Sequence, residues 1–170
     1  MEIKLTPLHC IFFIYNSFAT GTNGILSEGE KDRIARCMTR WVGKKNSIEP
    51  GKEASVIMRE TISWQNKNIL NNQKNEGRLG DVILGTMLSM LENLKNQEWF
   101  HRANKEFFLM DIRNIAWADD NFTESEKKWH DMFAELLGIN IRISNMSQKE
   151  VQDQVEETKT SKIGFRTKRD

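Results

Sequence analysis

Asn23-Gly24-Ile25-Leu26-Ser27-Glu28-Gly29-Glu30-Lys31 is written a second time, in altered spelling, as Asp119-Asp120-Asn121-Phe122-Thr123-Glu124-Ser125-Glu126-Lys127. The common pattern is Asn/Asp, Gly/Asp, any residue, an apolar residue, Ser/Thr, Glu, any residue, Glu, Lys. Each copy follows an apolar segment that ends near an alanine, Ala19 or Ala118, and each precedes an amphipathic segment. A phrase repeated with its flanks marks one supersecondary unit built twice. The unit reads as helix, acidic loop, helix, placed near both ends of one domain.

Outward from the two loops the spacing of apolar residues is mostly three or four, the helical period. Thr6-Pro7 opens a first helix, with Leu8, Ile11, Phe12, Tyr15 and Phe18 on one face. Ser27 and Glu30 form a capping box for the second, as Thr123 and Glu126 do for a helix over residues 124–137 that Gly138 stops. Ile34, Cys37, Met38, Trp41 and Val42 give the second helix its stripe. A third helix after Pro50 carries Ala54, Ile57, Met58, Ile62 and Trp64. Residues 66–75, rich in Asn, Gln and Lys, fit either a short helix or a linker. Residues 79–94 are the most apolar stretch and read as a central helix, with Gly80 and Gly85 as points of close helix approach. A helix or helix pair spans residues 97–118, lined by Phe100, Ala103, Phe107, Phe108, Ile112, Ile115 and Ala116. The expected fold is a single all-α bundle of about six to seven helices over residues 1–140. Residues 141–170 read as a polar C-terminal extension or tail, with Ser147 and Glu150 spaced to cap a short helix.

The 170 residues are 38% apolar and 29% charged, which suits one globular domain with a core. With 25 basic and 24 acidic side chains the net charge is +1, so no global field draws nucleic acid. The basic runs Lys44-Lys45 and 162–169 lack interleaved aromatics, and no nucleic-acid partner is expected. Cys10 and Cys37 have neither the number nor the spacing of a disulfide scaffold or a zinc pair, and read as reduced core thiols. Residues 8–18 resemble the apolar part of a signal peptide, but they match residues 107–118 inside the second unit and fall short of a membrane span of ~20 residues. They are expected to stay as core of a cytoplasmic protein.

Three chemistries compete for the acidic loops. The first is capping alone, with Glu28 and Glu124 favouring the positive helix ends. The second is a calcium loop, which needs about 6–8 oxygens on a frame of about 12 residues. With Glu30 last in such a frame, its first and third positions fall on Ala19 and Gly21, which carry no side-chain oxygen. The second copy is three residues shorter between its alanine and its apolar position, and lacks the glycine. The loops are therefore not EF-hands.

The third comes from a resemblance. Ala118-Asp119-Asp120-Asn121-Phe122-Thr123-Glu124-Ser125-Glu126, followed by an amphipathic helix ending Leu136-Leu137-Gly138-Ile139, resembles the signature of the TerB-like tellurite-resistance family. That signature is an Ala-Asp-Gly-type turn, an apolar residue, a Ser/Thr and a Glu three residues on, with a Leu-Gly-Ile-type ending. The likeness covers residues 8 to 140, although its specific motifs are the two loops. It implies an all-α fold with an internal duplication, and a stress-response or membrane-associated interaction module. It also implies a metal-binding acidic cluster on Asp119, Asp120, Glu126 and Glu30, with Asn23 where the family's first copy has Asp. Asp120 likewise replaces the usual glycine of the second turn. The candidate ligand is a divalent cation, calcium or magnesium, for which a neutral Asn oxygen is acceptable.

Other constellations are thinner. Glu98-x-x-His101 has half the spacing of a di-iron site, without the second Glu-x-x-His that such a site needs. No phosphate loop or nucleophile elbow occurs. Trp99 is the candidate for a semi-exposed contact. The expectation is a non-enzymatic interaction module with an unidentified protein partner, no transmembrane segment, and peripheral membrane association as an option. The alternative is a structural or scaffolding domain whose acidic loops only cap helices. A carboxylate metalloenzyme ranks third.

Overall fold

Ser27 and Thr123 begin their helices by the same exchange of hydrogen bonds. Each hydroxyl accepts from the backbone N–H of the glutamate three residues on, at 3.1 and 3.2 Å. Each glutamate accepts in return from the backbone N–H of its cap, at 3.0 and 3.2 Å. These boxes open α2 (Glu28–Gly43) and α6 (Glu124–Leu137) and satisfy donors that a helix start leaves without partners. Ser147 and Glu150 make a third box, at 2.9 and 3.3 Å, ahead of the helical residues 148–153. At α1 (Pro7–Asn23) the histidine three residues after Thr6 replaces the glutamate, and its Nδ1 accepts from the Thr6 N–H at 3.0 Å. Ser27→Ala and Thr123→Ala are each expected to lower unfolding free energy by ~0.5–2 kcal/mol in urea titrations. An unchanged midpoint for either would show that its cap is not what starts the helix.

The computed structural model describes residues 2–23, 25–72, 77–119, 122–153 and 155, without the side chains of Thr22, Asn23 and Asp119. Between the two capped helices lie α3 (Pro50–Gln65), which runs on into a π-helical turn (Asn66–Leu70), α4 (Leu79–Lys95) and α5 (Arg102–Ala116). A 3-10 turn (Trp117–Asp119) closes α5, and Gly138 ends α6 at φ 71°, in the left-handed region that glycine adopts without strain. The architecture is an all-α bundle with no strand among the described residues. No helix among them is long and apolar enough to cross a membrane.

The central helix is α1, not α4. Ile11, Phe12, Phe13, Ile14 and Tyr15 are buried in succession, so α1 is covered on every side, and it packs against α2, α3, α4, α5 and α6. α4 buries Met87, Met90, Leu91 and Leu94, while Leu79 stays exposed and Val82, Ile83, Leu84 and Leu88 are half-buried. Gly80 and Gly85 face open space, so they allow no close helix approach. The glycine that does is Gly21: a methyl group there would lie 2.9 Å from Cη2 of Trp129. Ala103 and Ile62 are exposed rather than core-facing, and Thr61 and Gln65 are buried on α3 instead. Beyond α6, where a polar extension was expected, Ile143, Val151 and Val155 are buried.

The two units interlock reciprocally. α1 touches α6, and α2 touches α5. Tyr15 and Asp111 stand 96 residues apart, the spacing that separates Ser27 from Thr123, and the Tyr15 hydroxyl donates to Asp111 Oδ2 at 2.7 Å. Equivalent positions that touch each other lie beside an approximate two-fold axis. Arg33 and Trp129 also correspond, as do Phe18 and Asn114. Trp129 packs on Phe18 with ring centroids 6.3 Å apart, and Arg33 donates to the Asn114 carbonyl at 3.1 Å.

Candidate functional site

Reciprocal packing sets both acidic loops at one end of the bundle. The first turn of α2 lies against the turn that leads into the second loop: a methyl group on Gly29 would sit 3.5 Å from the Ala118 carbonyl oxygen. The end of α1 lies against the second turn of α6 through Gly21 and Trp129. Of the five candidate ligands, Glu30 and Glu126 are described in full. Both are buried, at 1% and 2% exposure, and Oε1 of each is taken up in its capping box. The Thr123 hydroxyl also contacts Glu126 Oε1 at 2.8 Å. Asn23 ends α1 and Asp119 ends the 3-10 turn, but their side chains, and Asp120 entirely, lie outside the described residues. Among the described residues no group of three or more His, Cys, Asp or Glu is placed to hold a metal. Two carboxylates already engaged at helix starts do not by themselves fit a hard cation that takes about 6–8 oxygens.

A polar cluster that sequence reasoning missed sits beside the two-fold. Asp111 is fully buried, and its carboxylate is surrounded by donors. Tyr15 donates at 2.7 Å, Trp41 Nε1 at 3.0 Å, and the Arg40 guanidinium to both oxygens. Burial pushes the Tyr15 phenol well above its ordinary pKa, and Asp111 adds to the effect, so the phenol stays a donor. Burial acts against the Arg40 charge, but the attraction of Asp111 prevails and holds its pKa above the ordinary value. The cluster reaches the surface at Lys44, whose ammonium lies 4.7 Å from the Trp41 ring and 4.2 Å from the Phe107 ring. Burial and the neighbouring Arg40 lower the Lys44 pKa. Lys44 also donates to Asn104 Oδ1 at 3.0 Å, which ties the end of α2 to α5. Trp99 is half-buried and packs edge-on against Trp41. The available signal was an aspartate and an arginine set into the otherwise apolar α5 stripe.

That arginine, Arg113, belongs to a second cluster. Its Nη1 lies 2.9 Å from His130 Nε2, and His130 Nδ1 lies 3.0 Å from Asp131 Oδ1. Asp131 also accepts from the backbone N–H groups of Ile143 and Ser144, both at 2.8 Å. Burial raises the Asp131 carboxyl, but these hydrogen bonds outweigh it and leave the pKa below the ordinary value. Burial, with Arg113 alongside, holds His130 down at about 4, so the ring is neutral. It then donates from Nδ1 and accepts at Nε2. The chain from Arg113 to Ser144 thus fastens the segment after α6 onto the bundle. Cys10 is half-buried with its thiol pushed up to about 11 by burial, and Cys37 is buried; neither is in a disulfide. These clusters fix helices in place: most of their donors and acceptors are spent on one another, although Arg40 Nε and Arg113 Nε are buried without a hydrogen-bond partner among the described residues.

The His130 arrangement has a sign. The unfolded chain binds a proton near pH 6.5, while the folded ring resists it down to about 4. Stability therefore falls as pH drops through that window, by roughly 3 kcal/mol in all. In His130→Gln, which keeps a donor and an acceptor, this slope is expected to vanish from urea titrations between those limits. An equal slope in both proteins would remove His130 as its source.

No family model matches the chain, and no curated protein or solved structure matches it either.

Proposed function

We propose that this chain is a non-enzymatic, TerB-like interaction module of a cytoplasmic stress response, with paired acidic loops as its working end. The observation that carries the reading is the reciprocal packing of the two repeated units, which sets Gly29 against Ala118 and Gly21 against Trp129. Carboxylates from both loops are thereby gathered at one end, where mutual repulsion favours a divalent cation or a cationic partner surface. A metal would depend on Asp119, Asp120 and Asn23 as well as on Glu30 and Glu126. It would bind weakly, because Asn23 supplies no charge, and would be calcium or magnesium rather than zinc. Peripheral attachment to a membrane remains part of the same proposal.

Calorimetric titration with calcium, magnesium, manganese and zinc tests the metal. Binding with a matching rise in melting temperature is expected, strengthened in Asn23→Asp. Flat titrations and unchanged melting for both proteins would leave a second reading, favoured by the capping bonds of Glu30 and Glu126: a scaffolding domain whose acidic loops only start helices.

A further inference from the structure

The two loops differ in what covers them. Over the second, the side-chain amide of Gln148 bridges the backbone of Phe122: Phe122 N–H donates to Gln148 Oε1 at 3.0 Å, and Gln148 Nε2 donates to the Phe122 carbonyl. Two residues earlier the Met146 carbonyl accepts from Lys127 Nζ at 2.9 Å. Under this cover Phe122 is fully buried and the Lys127 side chain is only 4% exposed.

At the equivalent positions of the first loop no such cover is found among the described residues. Leu26 stands where Phe122 does, and among the described residues nothing bonds its backbone. Lys31 stands where Lys127 does. Its side chain is 54% exposed and, among the described residues, bonds only the exposed Glu28, at 3.1 Å. Ile25, where the second loop has Asn121, is 82% exposed.

We propose that the first loop is a docking site for a short polypeptide segment of another protein, with the chemistry of residues 146–148 of this chain. A glutamine side chain bridges the Leu26 backbone, the main-chain carbonyl two residues before it takes the Lys31 ammonium, and an apolar side chain covers Ile25. The occupant comes from another protein because this chain's own Gln148 is already engaged at Phe122, in every copy alike. A swap between two copies would gain no contact. The grip is lighter than at the second loop, since Ala35 stands where Asp131 holds two backbone N–H groups. A lighter grip suits a partner that comes and goes. The proposal deepens the interaction-module reading and rests on it.

The test uses the full-length, nitrogen-15-labelled chain and a synthetic peptide with the sequence of its residues 144–150. A control peptide carries leucine at the glutamine position. Saturable amide shifts at Ile25, Leu26 and Lys31 are expected at peptide concentrations up to ~1 mM. The control peptide and the exposed-site variant Ile25→Ser should each weaken binding about fivefold or more. No saturable shift, equal binding of the control, or shifts at Phe122 and Lys127 instead would each overturn the proposal. So would dimerisation mapping to residues 25–31 without peptide. Failure here together with an intact metal response would remove this docking site while leaving the paired-loop reading in place.

Discussion

Asp111→Ala lowers the unfolding free energy by about 3–5 kcal/mol, the cost of removing one partner from a buried ion pair. Three donors lose their common acceptor: the Tyr15 hydroxyl, the Trp41 indole N–H and the Arg40 guanidinium. Tyr15 and Trp41 are buried at 0% and 2% exposure, so neither finds water in exchange. The Arg40 side chain is 28% exposed and recovers part of its solvation, which places the loss toward the lower end of that range. Trp41 Nε1 retains the Tyr15 oxygen at 2.9 Å. Asp111→Asn, which keeps an acceptor but removes the charge, should fall between wild type and alanine. Urea titration of the three proteins checks the order. A loss under about 1 kcal/mol for the alanine variant would mean that the cluster contributes little net stability.

Deleting residues 8–18 abolishes folding altogether. The segment buries Leu8, Ile11, Phe12, Phe13, Ile14, Tyr15 and Phe18, each at 4% exposure or less. Full burial of one such side chain is worth ~1.5–3 kcal/mol, and a whole domain is stable by only ~5–15 kcal/mol. No other element replaces α1, because α2, α3, α4, α5 and α6 all rest on it. Far-ultraviolet circular dichroism should show collapse of the helical signal and no cooperative melting. A deleted chain that still melts cooperatively would move the core elsewhere.

Much of this architecture is written locally. Ser27-x-x-Glu30, Thr123-x-x-Glu126 and Ser147-x-x-Glu150 are legible because a capping box is complete within four residues, and all three form. The left-handed turn at Gly138 is legible for the same reason. What the sequence hides is pairing at a distance. Asp111 meets Tyr15 and Arg40, and Arg113 meets His130, only after the helices have packed. Gly80 and Gly85 suggest close packing through the absence of a side chain, yet the same absence is tolerated on an open surface. Gly21 looks like a helix-ending residue until the Trp129 ring is laid against it. Ile143, Val151 and Val155 are too widely spaced among polar neighbours to signal burial, and Asp131 and Gln148 hold their segment by bonds that no local pattern announces. The acidic loops were legible as a repeat. Glu30 and Glu126 were legible as caps, whereas their closeness to one another's unit follows from tertiary packing alone.

Through-space magnetisation transfer in solution measures the reciprocal packing most directly. The interlocked units predict two contacts together: Gly21 Hα with the ring protons of Trp129, and Gly29 Hα with the methyl group of Ala118. Both cross-peaks support the paired loops at one end of the bundle. Absence of either, in a spectrum where the Phe18 to Trp129 ring contacts are resolved, would contradict it.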